Sequence, residues 1–469
     1  MPNIVNLNVS EISVGNFDFY SLLCLTQEHL SSKNSALFND KNDGNTSEGT
    51  ETAERRRANE KEKEIKKQKI RNAISNFVNN GKYKVDGMQT GEIIDRLYDE
   101  MVNFSILTPY IEDKEGQYEE ININAWNDVE VRCSNGEVKK VEHFYNIEHA
   151  KNVVKRLVTV AGSQIDNAMP MAEGNLRNNV RLVVLESPIV DEDVGVAASI
   201  RLLRPSFFSR EFFIKTGAVS EEEMYFLELA VRSGVSMVFV GETGSGKTTL
   251  MNYLLSTIPN DRRIVSIEHN ARELSLVKRN SDGKIVNNVV HMKTRPHSTS
   301  EWNISQEDLV SKALRLDPHN ICVGEMRDSE AYAAQEASLT GHTVITSLHA
   351  KGVSATHFRI AMLAIKKYPI DIKIALTQAA MAFPIIVYLS KLDDNSRKVM
   401  EIAECSLLEE NNDMHRFYDT LYKYEIDETI KKDGHVTIIG KHTKDRKISD
   451  DLRHTMMLHG ASLAELSAL

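Results

Sequence analysis

The sequence predicts an α/β protein with a mainly parallel sheet in its C-terminal half and a smaller α+β domain in its N-terminal half. Short apolar segments alternate with helical segments from about residue 236 to residue 392, which is typical of a parallel sheet covered on both faces. A glycine-rich loop joins the first of these strands to a helix. Upstream, stretches such as EININAW and DVEVRC alternate polar and apolar residues, which favours strands with one solvated face.

Length and composition narrow the class of protein further. The 469 residues are too many for one ordinary core, so two or three domains are expected. A formal net charge of −10 argues against an undifferentiated nucleic-acid binder, although local basic patches stay open. No apolar run reaches the ~18 residues needed to span a bilayer, the N-terminus does not resemble a secretory signal, and the four cysteines lack CxxC or zinc-site spacing. We expect a soluble protein of a reducing cytoplasm, with any membrane role peripheral.

Composition shifts divide the chain into four predicted segments. These are a variable or partly disordered region (1–60), a helical lead-in with an α+β domain (61–205), a domain built around the glycine-rich loop (206–395) and a C-terminal extension (396–469). The polar stretch from Ser31 to Arg55 predicts a disordered linker. A docking strand or helix is predicted from Phe17 onward, and a charged helix from Glu54, either solvated or presenting a basic face to lipid or nucleic acid.

Local signals predict further elements in the middle of the chain. GEIIDRLYDEMVNF and the segment from His149 have the apolar spacing of amphipathic helices, and a turn at Asn135-Gly136 joins two strands. Ser220 and Glu223 form the capping-box pattern of a helix start. The residues after 395 are charged and less patterned, with a small helical end from Asp450.

The glycine-rich loop fits the G-x-x-x-x-G-K-[ST] pattern in full. Its residues are Gly241, Glu242, Thr243, Gly244, Ser245, Gly246, Lys247 and Thr248, and we add the following Thr249 to the nucleotide-binding set. Glycines let successive backbone N–H groups face a phosphate, and the helix that follows adds its positive end. Lys247 is suited to bridge β- and γ-phosphates, and the Thr248 hydroxyl to bind Mg²⁺. The sequence predicts a nucleoside triphosphate site, for ATP rather than GTP because it lacks an N/T-K-x-D motif.

Two glutamates follow later strands of the same predicted sheet. Glu325 comes after NICVG and is expected near the Mg²⁺ beside Thr248, although a surface glutamate after a strand is common. Glu268 ends RRIVSIE and could polarise water for attack on the γ-phosphate, or instead serve as an acid at a helix N-terminus.

Two histidines bracket one predicted strand in TGHTVITSLHAKG. We expect His342 and His349 both to lie at the carboxyl edge of the sheet, where ligands bind in open α/β folds, and to sense the γ-phosphate. A single histidine at a strand end is more often a packing or solvent residue.

Together these motifs resemble the traffic ATPases of type II and type IV secretion, type IV pili and tight-adherence pili. The resemblance is carried by GETGSGKTTLMN, IVSIEHNAREL, DLVSKALRLDPHNICVGEMRDSEA and SLTGHTVITSLHAKG, and is strongest over about residues 236–363. Weaker similarity upstream is closest to the conjugation and tight-adherence branch. The resemblance implies a hexameric motor with a RecA-type P-loop NTPase core, ATP and Mg²⁺ as ligands, and a place at the cytoplasmic face of the membrane. Its implied partners are inner-membrane platform or secretion-channel proteins, with no direct nucleic-acid binding.

The resemblance also implies roles for individual residues. Glu268 corresponds to the water-polarising acid, Glu325 to the metal-coordinating Walker B glutamate, and His342 and His349 to a histidine pair. Arg181 and Arg201 correspond to N-terminal-domain arginines that reach the nucleotide across a cleft, while Arg295 and Arg315 match family arginines whose roles are open.

The sequence departs from the family pattern at two points, and three functions stay open. His269 stands where the family usually has a second acid, and the interval between the histidines is one residue shorter than in much of the conjugation branch. The exact subfamily is therefore open. A nucleic-acid translocase and a non-hydrolysing, nucleotide-gated assembly protein are alternatives to a secretion or pilus motor. Within the motor interpretation, protein export, pilus assembly and conjugative DNA transfer are not separated.

Overall fold

The chain forms two compact units, residues 1–202 and 203–469. The computed structural model describes residues 16–33, 53–113, 115–176, 180–202, 208–269, 272–295, 302–410, 413–432, 434–467 and 469. Most of the predicted linker lies outside these ranges, and so does Pro205, near which the sequence predicts a hinge between the two domains. Within them, no helix is long and apolar enough to cross a membrane.

An antiparallel six-stranded sheet forms the centre of the N-terminal unit, in the order β5-β4-β3-β8-β7-β6. Its strands are β3 Tyr118–Ala125, β4 Asp128–Cys133, β5 Val138–Lys140, β6 Met171–Leu176, β7 Val180–Glu186 and β8 Val196–Leu202. The turn predicted between β4 and β5 is present, and Gly136 has the φ of 87° that its left-handed backbone requires. Helix Ile147–Val160 buries its apolar stripe, which includes Val153, Val154 and Leu157.

A second, helical cluster completes this unit. Its elements are the two-residue parallel strands β1 Asn16–Phe17 and β2 Lys84–Val85, the helices Phe19–Lys33, Ala53–Gly81, Thr90–Val102 and Thr108–Ile111, and a short 3-10 turn Ser105–Leu107. The segment after Phe17 is thus mainly a helix. The charged helix is not solvated all round, because Ile70, Ile74 and Val78 are buried in a shared apolar core.

The C-terminal unit is built on one nine-stranded sheet, in the order β11-β10-β12-β13-β9-β14-β15-β16-β17. The strands are β9 Met237–Val240, β10 Ile264–Glu268, β11 Val289–Lys293, β12 Asn320–Val323, β13 Thr343–Leu348, β14 Ile385–Lys391, β15 Arg397–Glu410, β16 Asp413–Lys432 and β17 His435–Lys444. Neighbouring strands from β11 to β14 pair in parallel, which confirms the predicted α/β class. All four residues of β9 are buried, as expected for a strand covered on both faces.

Helices cover both faces of this sheet. The helices are Arg210–Lys215, Glu221–Arg232, Lys247–Ser256, Gln306–Ala313, Glu330–Leu339, Val353–Ile365, Ile372–Ala382, Asp450–Leu458 and Leu463–Leu466. Met237 and Phe239 of β9 join one apolar core, whereas Val238 and Val240 join the core on the opposite face. The predicted capping box at Ser220 is present, with hydrogen bonds in both directions to Glu223.

The residues after 395 continue the sheet instead of leaving it. β15, β16 and β17 pair antiparallel with β14 and with one another, although the charged and weakly patterned sequence before Asp450 did not predict strands there. The reason is that the second half of β16, from Ile426 to Lys432, is exposed on both faces, so its sequence lacks the apolar alternation of a half-buried strand. The small helical end from Asp450 is present.

Candidate nucleotide-binding site

The predicted phosphate loop leaves β9 and enters helix Lys247–Ser256 through Gly246, whose φ is 95°. Gly241 has a φ of 146°, and a Cβ atom there would lie 2.0 Å from the Leu389 carbonyl oxygen. Only glycine can make that approach. The loop therefore curls at the N-terminus of a helix, where unpaired backbone N–H groups favour an anion.

Lys247 is held inside this curve. Its side chain is buried, and its ammonium donates hydrogen bonds of 2.8 Å to the carbonyl oxygens of Gly241 and of Glu242. Thr248 and Thr249 follow in the first helical turn and are half-buried. Phosphate oxygens could replace the two carbonyl contacts of Lys247 with little movement of the side chain.

The other predicted residues fall along the carboxyl edge of the sheet in a fixed order. His349 follows β13, which pairs with β9, Glu325 follows β12, and Glu268 ends β10. With strands about 4.8 Å apart, Glu325 and Glu268 lie about two and three strand spacings from the strand of the loop. The structure brings Glu268, Glu325 and His349 to the same edge as Lys247.

His349 lies between the loop and Glu325. Its Nδ1 is 2.9 Å from the Gly241 carbonyl oxygen and 3.5 Å from the Lys247 ammonium. Its Nε2 is 3.1 Å from Glu325 Oε1, an ionic contact when the ring is protonated. Arg327 occupies the other side of the carboxylate, with a nitrogen 2.6 Å from Glu325 Oε2. The sequence analysis did not single out Arg327.

These charges keep Glu325 ionised. Burial by itself raises the pKa of Glu325, but the hydrogen bond and charge of Arg327, with the charges of His349 and Lys247, hold that pKa below its ordinary value. An ionised carboxylate and the Thr248 hydroxyl are the hard oxygen ligands that Mg²⁺ prefers. Within the described ranges no group of three or more His, Cys, Asp or Glu side chains could hold a metal. One ionised carboxylate and one hydroxyl group fit a magnesium ion that takes its other ligands from phosphate oxygens and water.

Glu268 is a buried carboxyl with one oxygen fixed and one without a partner. Oε1 accepts hydrogen bonds from the backbone N–H groups of Glu273 at 2.6 Å and of Leu274 at 2.8 Å. Oε2 is buried and has no hydrogen-bond partner among the described residues. Burial raises the pKa of Glu268 to about 7, despite the opposing backbone hydrogen bonds. A carboxyl with this pKa is well matched to proton transfer near neutral pH.

Residues that the sequence analysis missed surround Glu268. Its side chain packs against Gly324, where a Cβ atom would lie 3.3 Å from Glu268 Cγ. His291 Nδ1 lies 3.9 Å from Oε2 and 2.5 Å from the Ser266 hydroxyl, and its Nε2 lies 3.0 Å from an Arg272 nitrogen. Burial and the charge of Arg272 lower the pKa of His291 to about 4, so the ring is neutral and donates through Nδ1. The strand pair Ser266–His291 creates this cluster, and no local motif marks it.

The prediction that both histidines reach the carboxyl edge was wrong for His342. His342 precedes β13 and His349 follows it, so the six residues of the strand separate them. His342 Nδ1 lies 3.1 Å from the Pro318 carbonyl oxygen, just before β12 begins. In a parallel sheet these positions lie at opposite edges, about 20 Å apart. The structure does not bring His342 to the loop.

Arg181 and Arg201 lie in the N-terminal unit, directly opposite each other on the antiparallel strands β7 and β8. Arg201 is exposed and Arg181 half-buried. Arg295 and Arg315 of the C-terminal unit are exposed, and Arg315 follows helix Gln306–Ala313 on the amino-edge side of β12.

Comparison with known proteins places the chain among secretion proteins. The family described as "Type II/IV secretion system protein" matches residues 133–456. A Mycobacterium tuberculosis protein named as a conjugal transfer protein is 26% identical over 295 residues, covering 61% of this chain and 80% of that protein. The type IV secretion system protein VirB11 of Brucella suis is 27% identical over 336 residues, covering 64% of this chain and 89% of the relative.

Among solved structures, the Legionella pneumophila ATPase DotB is 20% identical, with a TM-score of 0.44, over 63% of this chain and 78% of that chain. The family match spans more than half of the sequence and includes the phosphate loop, Glu268, Glu325 and His349. The chain therefore belongs to the type II/IV secretion system protein family.

Proposed function

We propose that this chain is a motor with a RecA-type core that hydrolyses ATP to drive a secretion, conjugation or pilus machine. The observation that carries the proposal is the row formed by Glu268, Glu325 and His349 at the same sheet edge as Lys247. A phosphate cradle, an ionised metal ligand and a buried carboxyl with a pKa near neutrality are the parts that phosphoryl transfer to water needs.

Each of these residues has a defined task in the proposed reaction. The loop and Lys247 bind the β- and γ-phosphates. Thr248 and Glu325 would hold a Mg²⁺ ion, which when bound would neutralise charge on those phosphates. Glu268 accepts a proton from the attacking water through its unpartnered Oε2. Loss of the γ-phosphate then removes the anion that Lys247 contacts. The contact that keeps the two units of the chain closed on the nucleotide is lost with it.

Motion is proposed to come from the two units of the chain. Arg181 and Arg201 form a neighbouring pair of positive charges on one sheet face, which suits a phosphate anion. We propose that they close on the nucleotide about the hinge expected near Pro205. Six chains would form a ring at the cytoplasmic face of the membrane, with inner-membrane platform or secretion-channel proteins as partners. The conjugal transfer protein and VirB11 among the relatives support such a machine.

The experiment compares oligomeric state with ATP turnover. Purified chain is studied with Mg²⁺-ATP across a range of protein concentrations, with ring formation followed by analytical ultracentrifugation. The proposal predicts that turnover per chain rises as a six-chain species forms, and that DNA or RNA leaves the rate unchanged. Turnover that rises only when nucleic acid is added would instead indicate a translocase. Tight ATP binding without phosphate release would indicate a nucleotide-gated assembly protein.

A further inference from the structure

The phosphate loop has two neighbours in the sheet, and they carry different chemistry. On one side lie β13 and β12, which bring His349 and Glu325. On the other side lies β14, followed by the turn into β15. If Glu325 holds the metal at the γ-phosphate end, as the proposed function requires, the nucleoside end of ATP must leave the loop on the β14–β15 side.

The end of β14 and the start of β15 contact the outside of the loop at several residues. Gly241 packs against the Leu389 carbonyl group. Glu242 Oε1 accepts a hydrogen bond of 3.2 Å from the Lys391 backbone N–H. Arg397 Nε donates a hydrogen bond of 2.9 Å to the Gly244 carbonyl oxygen. The side chain of Arg397 also covers Gly246, because its Cδ lies 3.4 Å from the position of a Cβ atom there.

Hydrogen bonds hold the turn in place, so the backbone of Arg397 has a defined position. The Leu392 N–H donates to the Ser396 carbonyl oxygen at 2.8 Å. Asp394 accepts from the Ser396 N–H at 2.9 Å through one oxygen and from the Ile438 N–H at 3.1 Å through the other. Backbone and side-chain hydrogen bonds therefore fix the turn on β17 as well as on itself.

Arg397 lies outside the phosphate cradle. The carbonyl groups of Gly241 and Glu242 meet the Lys247 ammonium inside the loop, whereas the Gly244 carbonyl group meets Arg397. Arg397 thus contacts the loop from the neighbouring turn and Lys247 from within the loop. Arg397 is exposed, and among the described residues its terminal nitrogens have no ion-pair partner. A planar guanidinium in this position suits a flat aromatic ring or a ribose hydroxyl group better than a phosphate inside the loop.

We infer that Arg397 contacts the adenosine moiety of the bound nucleotide and so contributes to nucleoside affinity, whereas the loop and Lys247 bind its phosphates. The inference rests on the proposed function, because it needs the triphosphate to lie in the loop. Arg397 occupies the first position of β15.

The test separates the nucleoside from the phosphates. Affinities for ADP and for inorganic tripolyphosphate, both with Mg²⁺, are measured by calorimetry on wild-type chain, Arg397→Ala and Arg397→Lys. A cation–aromatic contact is worth about 0.5–2 kcal/mol, so Arg397→Ala should weaken ADP binding about 2- to 30-fold. Its tripolyphosphate affinity should stay at the wild-type value, and Arg397→Lys, which keeps the charge, should give an intermediate loss for ADP. Arg446→Ala, which removes an exposed arginine paired with Asp419, is the matched control and should change neither affinity.

Two results would overturn the inference. An equal loss for ADP and tripolyphosphate would show that Arg397 only braces the loop. Unchanged binding of both would show that it has no role in affinity. If the wild-type chain binds neither ligand, the proposed function fails as well, so the two failures are distinguishable.

Discussion

His349 Nε2 lies 3.1 Å from Glu325 Oε1, at the ends of two neighbouring strands. Nδ1 of the same imidazole lies 2.9 Å from the carbonyl oxygen of Gly241 in the phosphate loop. The histidine therefore connects the proposed metal ligand to the proposed phosphate cradle. Nδ1 of the same ring also lies 3.5 Å from the Lys247 ammonium, so His349 contacts both groups that the proposed phosphates would meet. Arrival of phosphates and metal would change the charge on both sides of His349.

The first prediction concerns this connection. His349→Ala should lower kcat for ATP hydrolysis about tenfold, which corresponds to about 1.4 kcal/mol, because the buried Glu325 Oε1 would lose its ionic contact with His349 Nε2. It should also raise the Mg²⁺ concentration needed for half-maximal rate, since Glu325 loses a neighbour that orients it. His342→Ala is the control, because His342 lies at the other sheet edge. Equal losses of kcat in the two variants would contradict the placement of His342.

The second prediction is a pH dependence. Burial raises the pKa of Glu268 to about 7, so below that pH the carboxyl is protonated and cannot accept a proton from water. We expect kcat to rise as the pH increases through about 7 and then to level off. The measurement is kcat at saturating ATP from about pH 5.5 to about pH 8.5, with ADP affinity followed over the same range as a control. A flat kcat profile over that range would show that Glu268 is not the proton acceptor.

The third prediction compares how much two glycines of the loop contribute to the stability of the fold. Gly241→Ala should destabilise the unliganded fold by about 2 kcal/mol or more, because its positive φ and its 2.0 Å approach to Leu389 both exclude a Cβ atom. Gly244 has a φ of 79°, but the carbon added by Gly244→Ala would meet no atom within 4 Å. This substitution should therefore lower the free energy of unfolding by only about 1 kcal/mol. Urea unfolding of both variants without nucleotide measures the difference. Equal losses would mean that the loop relaxes away from β14.

The fourth prediction concerns the function of Arg201. Arg201 is directly opposite Arg181 on β7 and directly opposite Glu120 on β3, so its like-charged and oppositely charged neighbours offset each other. Arg201→Ala should therefore change the stability of the N-terminal unit by less than about 1 kcal/mol and should lower ATP turnover. Arg132→Ala, which removes another arginine 3.5 Å from Glu120, is the control and should leave turnover unchanged. Lower stability together with unchanged turnover in Arg201→Ala would indicate a structural residue.

The sequence predicted the parts of the site that local patterns encode. An apolar strand, glycines at fixed spacing and an apolar helix start lie next to one another in the chain, so the phosphate loop could be recognised without knowing the fold. Glu268 and Glu325 could be placed at one edge because parallel strands end together. The same reasoning failed for His342, because His342 precedes β13 whereas His349 follows it.

What could not be predicted depends on contacts between distant segments. Arg397 meets Gly244 across 153 positions of sequence, and His291 meets Ser266 across 25. Neither pair has a spacing pattern that marks it. The strands β15 to β17 were missed for a different reason: charged residues fill the exposed faces of a hairpin whose second half is not buried.

The most direct test follows one round of ATP hydrolysis in three forms of the full chain: wild type, Lys247→Ala and Glu268→Gln. Bound nucleotide and released phosphate are measured after mixing with Mg²⁺-ATP. We predict that wild-type chain binds ATP and releases phosphate, that Glu268→Gln binds ATP without releasing phosphate, and that Lys247→Ala does neither. Wild-type rates of phosphate release from either variant would contradict the assignment of these two residues to the reaction.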